Sequence, residues 1–236
     1  MKNILVTGGS GKAGRATINL LLKKNYNVFN VDLANHSELD APFSKVNLEN
    51  FGDAMESVSE IDDRINGIDA IIHQAAIPAP GLETNHKTFR MNTLSTYNIF
   101  QSAKVLKINN IVWASSETVL GLPFDTYPPY VPVDEEYYPR PESSYSLSKV
   151  MGEEMARQYC RRNPEMKIFG LRYSNIMEEK DYKQFKSFQK DPFLRKWNFW
   201  GYIDARDVAQ ACLLAMESKL KGAENFIIAA DDTVME

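Results

Sequence analysis

Short apolar runs alternate with longer amphipathic stretches along most of the chain. "NILVT" (3–7), "NVFNVD" (27–32), "IDAIIH" (68–73), "NIVWASS" (110–116), "KIFGLR" (167–172) and "NFIIAA" (225–230) have the length of strands. "KVNL" (45–48) reads as a further, short third strand. Helical patterns occupy 12–24, weakly 50–60, then 84–107, 144–162 and 204–218. The strand runs are mainly apolar rather than alternating, which predicts burial on both faces. Strands that alternate with helices form a parallel sheet, and right-handed crossovers then give a doubly wound α/β fold.

Two regions break the pattern. A loop after the fifth strand carries Pro123, Pro128, Pro129, Pro132, Pro139 and Pro141, and an aromatic and basic segment covers 177–202. The expected organisation is a dinucleotide-binding core over 1–172 and a small C-terminal substrate-binding region over 173–236, interleaved with the last helix and strand. The stop directly after a strand, at "DDTVME", suggests a longer natural chain. Composition adds little beyond exclusions. At 236 residues, with 44% hydrophobic, 25% charged and a net charge of −4, the chain is an ordinary globular one, with no basic run for nucleic acid and no apolar run long enough for a membrane. The N-terminus lacks a signal-peptide pattern. Cys160 and Cys212 sit far apart in helical patterns and read as buried thiols, and the three histidines have no ligand spacing, so no metal and a cytoplasmic location are expected.

The chemistry starts between the first strand and the first helix. "VTGGSGKAGRA" sets Gly8, Gly11 and Gly14 in a G-x-x-G-x-x-G spacing. Glycine lets the backbone turn tightly and approach a ligand, and the helix start offers free N–H groups to a pyrophosphate. Asp32 ends the second strand, where a carboxylate accepts from ribose hydroxyls and repels a 2′-phosphate, which favours NAD. Lys12 and Arg15 lie near enough to serve a phosphate, which keeps NADP as the alternative.

With these features the chain resembles the extended short-chain dehydrogenase/reductases, the NAD-dependent epimerase/dehydratase family. "TGGSGKAG" has that family's spacing, and "HQAA" (73–76), Asn92 in "RMN", "SSETVLG" (115–121), "YSLSK" (145–149), "LRYSN" (171–175) and "YIDARDVAQA" (202–211) follow in the family's order. The resemblance implies a Rossmann-type fold with NAD held by Gly8, Gly11, Lys12, Ala13, Gly14, Asp32, Leu33, Asn47, Leu48, Ala75, Ala76, Asn92, Tyr145, Lys149 and Tyr173. It places catalytic roles on Ser116, Tyr145 and Lys149, and substrate contacts on Ser116, Glu117 and Asn175. There are departures. Asn47 stands where an Asp is common, and Leu120 replaces a Tyr. Glu117 and Thr118 stand where dehydratases carry Asp-Glu, so dehydration is not implied.

"YSLSK" has a twin of the same spacing, "YKQFK" (182–186), and chance alone supplies such pairs in a chain with 11 tyrosines. Position separates them. Tyr145 and Lys149 share one face at the start of a helix, after Pro141 and a Ser143 or Ser144 cap. Tyr182 and Lys186 lie in the irregular segment and read as a surface pair. The segment's Lys183, Lys186, Lys190, Arg195, Lys196 and aromatics remain candidates for sugar or phosphate contacts. A neighbouring ammonium is expected to lower the Tyr145 pKa and make the phenol a usable base. Leu147, Val150, Met151, Met155 and Tyr159 form the expected core stripe of that helix. Gly152 and Ala156, on the Tyr145 face, leave room for something to approach.

The expected activity is hydride transfer at a hydroxyl of a sugar or nucleotide sugar. "LRYSN" leans toward an epimerase. The short substrate region and Leu120 lean toward an NAD-dependent dehydrogenase of a free sugar or sugar acid, as in uronate dehydrogenases. A non-catalytic dinucleotide sensor on the same fold is the second class, and the Ser116–Tyr145–Lys149 set argues against it. The resemblance also implies a homodimer through helices 84–107 and 144–162.

Overall fold

The computed structural model describes residues 2–59 and 67–235. Seven parallel strands make one sheet: β1 (Asn3–Thr7), β2 (Asn27–Asp32), β3 (Phe43–Lys45), β4 (Ala70–His73), β5 (Asn110–Ala114), β6 (Lys167–Tyr173) and an outer strand, Gly222–Ile228, in the order β3-β2-β1-β4-β5-β6 and then that strand. Ile4, Leu5 and Val6 of β1 are wholly buried although they point to alternating faces, as a sheet covered on both sides requires. One face is covered by α1 (Lys12–Lys23) and the late helix Ala205–Glu217, the other by α2 (Phe51–Ser59), α3 (Asn85–Val105) and α4 (Ser144–Arg162). The strand order reverses between β1 and β4, and a cleft opens there at the strands' carboxyl ends, the usual place for ligands in such sheets.

The third strand is shifted from its expected position. Asn30, Val31 and Asp32 pair with Phe43, Ser44 and Lys45, and the Val46 N–H makes the last bond, 3.0 Å to the Asp32 carbonyl. Asn47 then turns the chain toward α2, accepting from Asn50 N–H at its carbonyl and from Glu49 N–H at its side chain. That turn lifts Asn47 and Leu48 out of the sheet and onto the cleft wall. Residue 60, the expected end of the weak helix, lies outside the described residues.

The segment after β6 is more ordered than its sequence suggests. Short strands β7 (Ile176–Met177) and β8 (Ile203–Asp204) pair in parallel. Between them lie 3-10 turns at Glu179–Gln184 and Pro192–Asn198 and the helix α5 (Phe185–Lys190). Asp204 caps the following helix, α6 (Ala205–Glu217), by accepting from Arg206 N–H at 2.7 Å, and the last strand, β9 (Gly222–Ile228), starts three residues early because its register follows β6 from Lys167.

α4 keeps the far end of its expected stripe inside, with Tyr159 buried and Met155 packed against the same core, but turns a different face inward at its start. Leu147 and Met151 are 42% and 41% exposed, while Tyr145, Lys149, Gly152, Glu153 and Ala156 are buried. The room expected beside Gly152 is filled by protein. A Cβ there would stand 2.6 Å from the indole of Trp113 on β5. The polar residues on this face are accommodated because each has a partner. Arg172 on β6 donates to both oxygens of Glu153 at 2.9 Å, and Ser115 donates to Glu153 Oε1 at 2.7 Å.

Candidate active site

The cleft has a volume of about 1120 Å³ and is walled at one end by the turn between β1 and α1. Gly8 has φ +68°, and a Cβ on it would meet the Ala75 backbone nitrogen at 2.5 Å. A Cβ on Gly14 would lie 2.3 Å from the Gly8 carbonyl. Both positions therefore exclude a side chain. α1 differs from the other helices longer than eight residues. α2, α3, α4 and α6 begin with a side-chain cap from Asn50, Thr84, Ser143 and Asp204. Gly11 at the start of α1 offers none, so the first-turn N–H groups keep their capacity for an anion. At the end of β2 the Asp32 carboxylate accepts from Ser10 N–H at 3.0 Å and from Leu33 N–H at 2.7 Å. Lys12 and Arg15 are each tied to the segment after β6, in ion pairs with Asp181 and Glu178.

Ser116 follows β5 and opens a 3-10 turn, and Tyr145 and Lys149 stand one turn apart on α4. All three side chains reach the same cleft. Ser116 Oγ accepts from Thr118 N–H at 3.2 Å and from the Thr118 hydroxyl at 3.0 Å, which leaves its own proton free to donate. Lys149 Nζ donates to the Ala114 carbonyl at 2.7 Å and lies 5.6 Å from the centre of the Tyr145 ring. Burial pushes Lys149 down to about 8. Burial also pushes Tyr145 up to about 12. Ser116 opposes that rise and Glu117 adds to it. The expected depression of the Tyr145 phenol by Lys149 is not found: desolvation of the phenolate raises it instead.

The cleft gathers nearly every residue expected at a site: Gly8, Gly11, Lys12, Ala13, Gly14, Asp32, Leu33, Asn47, Leu48, Ala75, Ala76, Ser116, Glu117, Tyr145, Lys149, Tyr173 and Asn175 all line it. Asn92 stands behind the wall. Its amide accepts from Ile77 N–H at 2.8 Å and donates to the Ile77 carbonyl at 3.1 Å, so it pins the loop that follows β4. Tyr182 is also away from the cleft, and its hydroxyl donates to Asp204. Ser10, Gln74, Ser174 and Trp197, none of them named individually from the sequence, also line the cleft. Ser10 lay in view inside the glycine turn. Trp197 comes from the irregular segment, where nothing in the sequence distinguishes it from the neighbouring aromatics.

The model of the NAD dependent epimerase/dehydratase family matches residues 4–229. A putative UDP-glucose 4-epimerase of Methanocaldococcus jannaschii is 33% identical over 190 residues, 75% of this chain and 57% of that protein. The chain thus spans little more than half the length of such curated epimerases. L-arabinose 1-dehydrogenase (NAD(P)(+)) of Haloferax volcanii is 26% identical over 98% of this chain and 90% of its own length. The crystal structure of UDP-glucose 4-epimerase from Brucella ovis in complex with NAD has the same fold, with a TM-score of 0.77 at 19% identity over 99% of this chain and 80% of that one.

Proposed function

The chain belongs to the NAD dependent epimerase/dehydratase family, and from that premise we propose that it is an enzyme that uses NAD to oxidise and reduce a hydroxyl-bearing carbon of a sugar or nucleotide sugar. The observation that carries this reading is the convergence of Ser116, Tyr145 and Lys149 on the cleft that also holds the glycine turn. The residues fit such a cofactor: two glycines whose Cβ atoms would collide with backbone, an uncapped helix start, and a carboxylate at the end of β2. When bound, the nicotinamide supplies the hydride acceptor. With that cationic ring and the Lys149 ammonium opposing its desolvation, Tyr145 takes the hydroxyl proton as the phenolate and returns it in the reverse direction, while Ser116 donates to the same oxygen. Asp32, together with the pairing of Lys12 and Arg15 to acids, supports NAD over NADP.

Alignment over 98% of the chain with a sugar dehydrogenase, against 75% with the epimerase, favours a dehydrogenase of a free sugar as the second reading. Exposed Leu94 and Tyr97 on α3 and Leu147 and Met151 on α4 support a homodimer joined through these helices.

The test is a sugar and nucleotide-sugar panel with NAD. Accumulating NADH identifies a dehydrogenase, and a new isomer without net NADH identifies an epimerase. Bound NAD with neither outcome leaves a sensor. Tyr145→Phe should lower turnover by about 10²-fold or more while NAD still binds, and Tyr182→Phe should not. Full activity in the Tyr145 variant, or an equal loss in the Tyr182 variant, would sink the assignment.

A further inference from the structure

Beyond Tyr145 the cleft is walled by groups from three parts of the chain. Glu117 opens the turn after β5, Ser174 and Asn175 follow β6, and Trp197 comes from the segment before β8. A second layer holds them. Asn198 Nδ2 donates to Glu117 Oε1 at 3.2 Å. Arg195 donates to Asn175 Oδ1 at 2.9 Å and to the Gly201 carbonyl at 2.7 Å, and its guanidinium lies 5.2 Å from the centre of the Trp197 ring. Arg195 makes no ion pair with Glu117 within 4 Å, so the carboxyl is braced by an amide rather than consumed by a cation.

The charges that reach the cleft are uneven. Among the described residues its wall carries the carboxyls of Asp32, Glu49, Glu117 and Glu142, and the ammonium groups of Lys12 and Lys149. Lys12 is paired with Asp181, Glu49 with Arg90 and Glu142 with Arg140, which leaves Asp32 and Glu117 as the wall's carboxyls and Lys149 as its cation without an ion-pair partner among the described residues. At the substrate end Glu117 is the charged group of the wall, and the Arg195 guanidinium behind it already donates to Asn175 and to the Gly201 carbonyl, so a substrate carboxylate there meets the ionised Glu117 as a like charge. Burial also pushes Glu117 up to about 7, against the pull of Ser174, Asn198 and Arg195. A hydroxyl can donate to the ionised form of such a group and accept from the protonated one, whereas a carboxylate or an ammonium suits a single form.

We propose that Glu117, braced by Asn198, is the specificity-determining residue of the substrate end: it binds a hydroxyl of an uncharged sugar ring lying against Trp197 and turns away sugars that carry a carboxylate there. This rests on the reading of the cleft as an NAD-dependent sugar site. The test uses the full chain with matched pairs: neutral aldoses with their uronates, and UDP-hexoses with UDP-hexuronates. NADH absorbance and chromatography of the sugar products report turnover. The wild-type protein should prefer the neutral member of a pair by about 10²-fold in kcat/KM, and Glu117→Gln should narrow that ratio by about tenfold, mainly through KM. Asn198→Ala should move KM in the same direction, which keeps the proposal open to test if one variant folds poorly. A wild-type preference for the uronate or for an amino sugar, or an unchanged ratio in folded Glu117→Gln, overturns it. NAD binding without turnover of any pair overturns the sugar reading itself and this proposal with it.

Discussion

Arg172 on β6 grips Glu153 on α4 through two hydrogen bonds of 2.9 Å, with both side chains almost wholly buried. The pair fastens the helix that carries Tyr145 and Lys149 to the sheet, and Ser115, the neighbour of Ser116, joins it through Glu153. Removing one member leaves an uncompensated buried charge. Glu153→Met alone should cost about 3 to 5 kcal/mol of stability, and the double variant Glu153→Met, Arg172→Met should cost clearly less than the sum of the single ones. Urea denaturation of the four proteins measures this; strict additivity would show that the two side chains act independently.

Asp32 faces the cleft with its oxygens held by Ser10 and Leu33 N–H groups. Replacing it with Ala removes both an acceptor for ribose hydroxyls and a negative charge that a 2′-phosphate would meet. The ratio of NAD to NADP affinity should fall at least tenfold, equivalent to about 1.4 kcal/mol. Calorimetric titration of the two cofactors reads the ratio, and an unchanged preference would assign the discrimination elsewhere.

Glu117 has its ordinary value of 4.5 raised to about 7 by burial. Between those two values the folded protein holds a proton that the unfolded chain releases, so this group's contribution to stability declines as pH rises from 4.5 toward 7. Glu117→Gln abolishes that decline. Relative to the variant, the wild-type protein should lose on the order of 2 kcal/mol between pH 4.5 and pH 8. Parallel denaturation curves for the two proteins across that interval would refute the raised value.

Much of the cleft was legible because its signals are local. A glycine turn between a strand and a helix, an acid at the next strand's end, and a Tyr and Lys one helical turn apart depend on spacings of a few residues. The runs of fully apolar residues in β1, β4 and β5 likewise stated that both sheet faces are covered.

What covers them was decided in three dimensions. The periodicity of α4 pointed its Leu147 and Met151 inward. Trp113, from a strand over thirty residues earlier, instead claims the space beside Gly152, and Arg172 makes the polar face of α4 the buried one. The same holds for the substrate end, where Glu117 meets Asn198 across 81 positions of sequence. Hydrophobic spacing within an element reports that one of its faces is buried. Which face, and against which partner, depends on volumes and hydrogen bonds that distant residues supply only once the chain has folded.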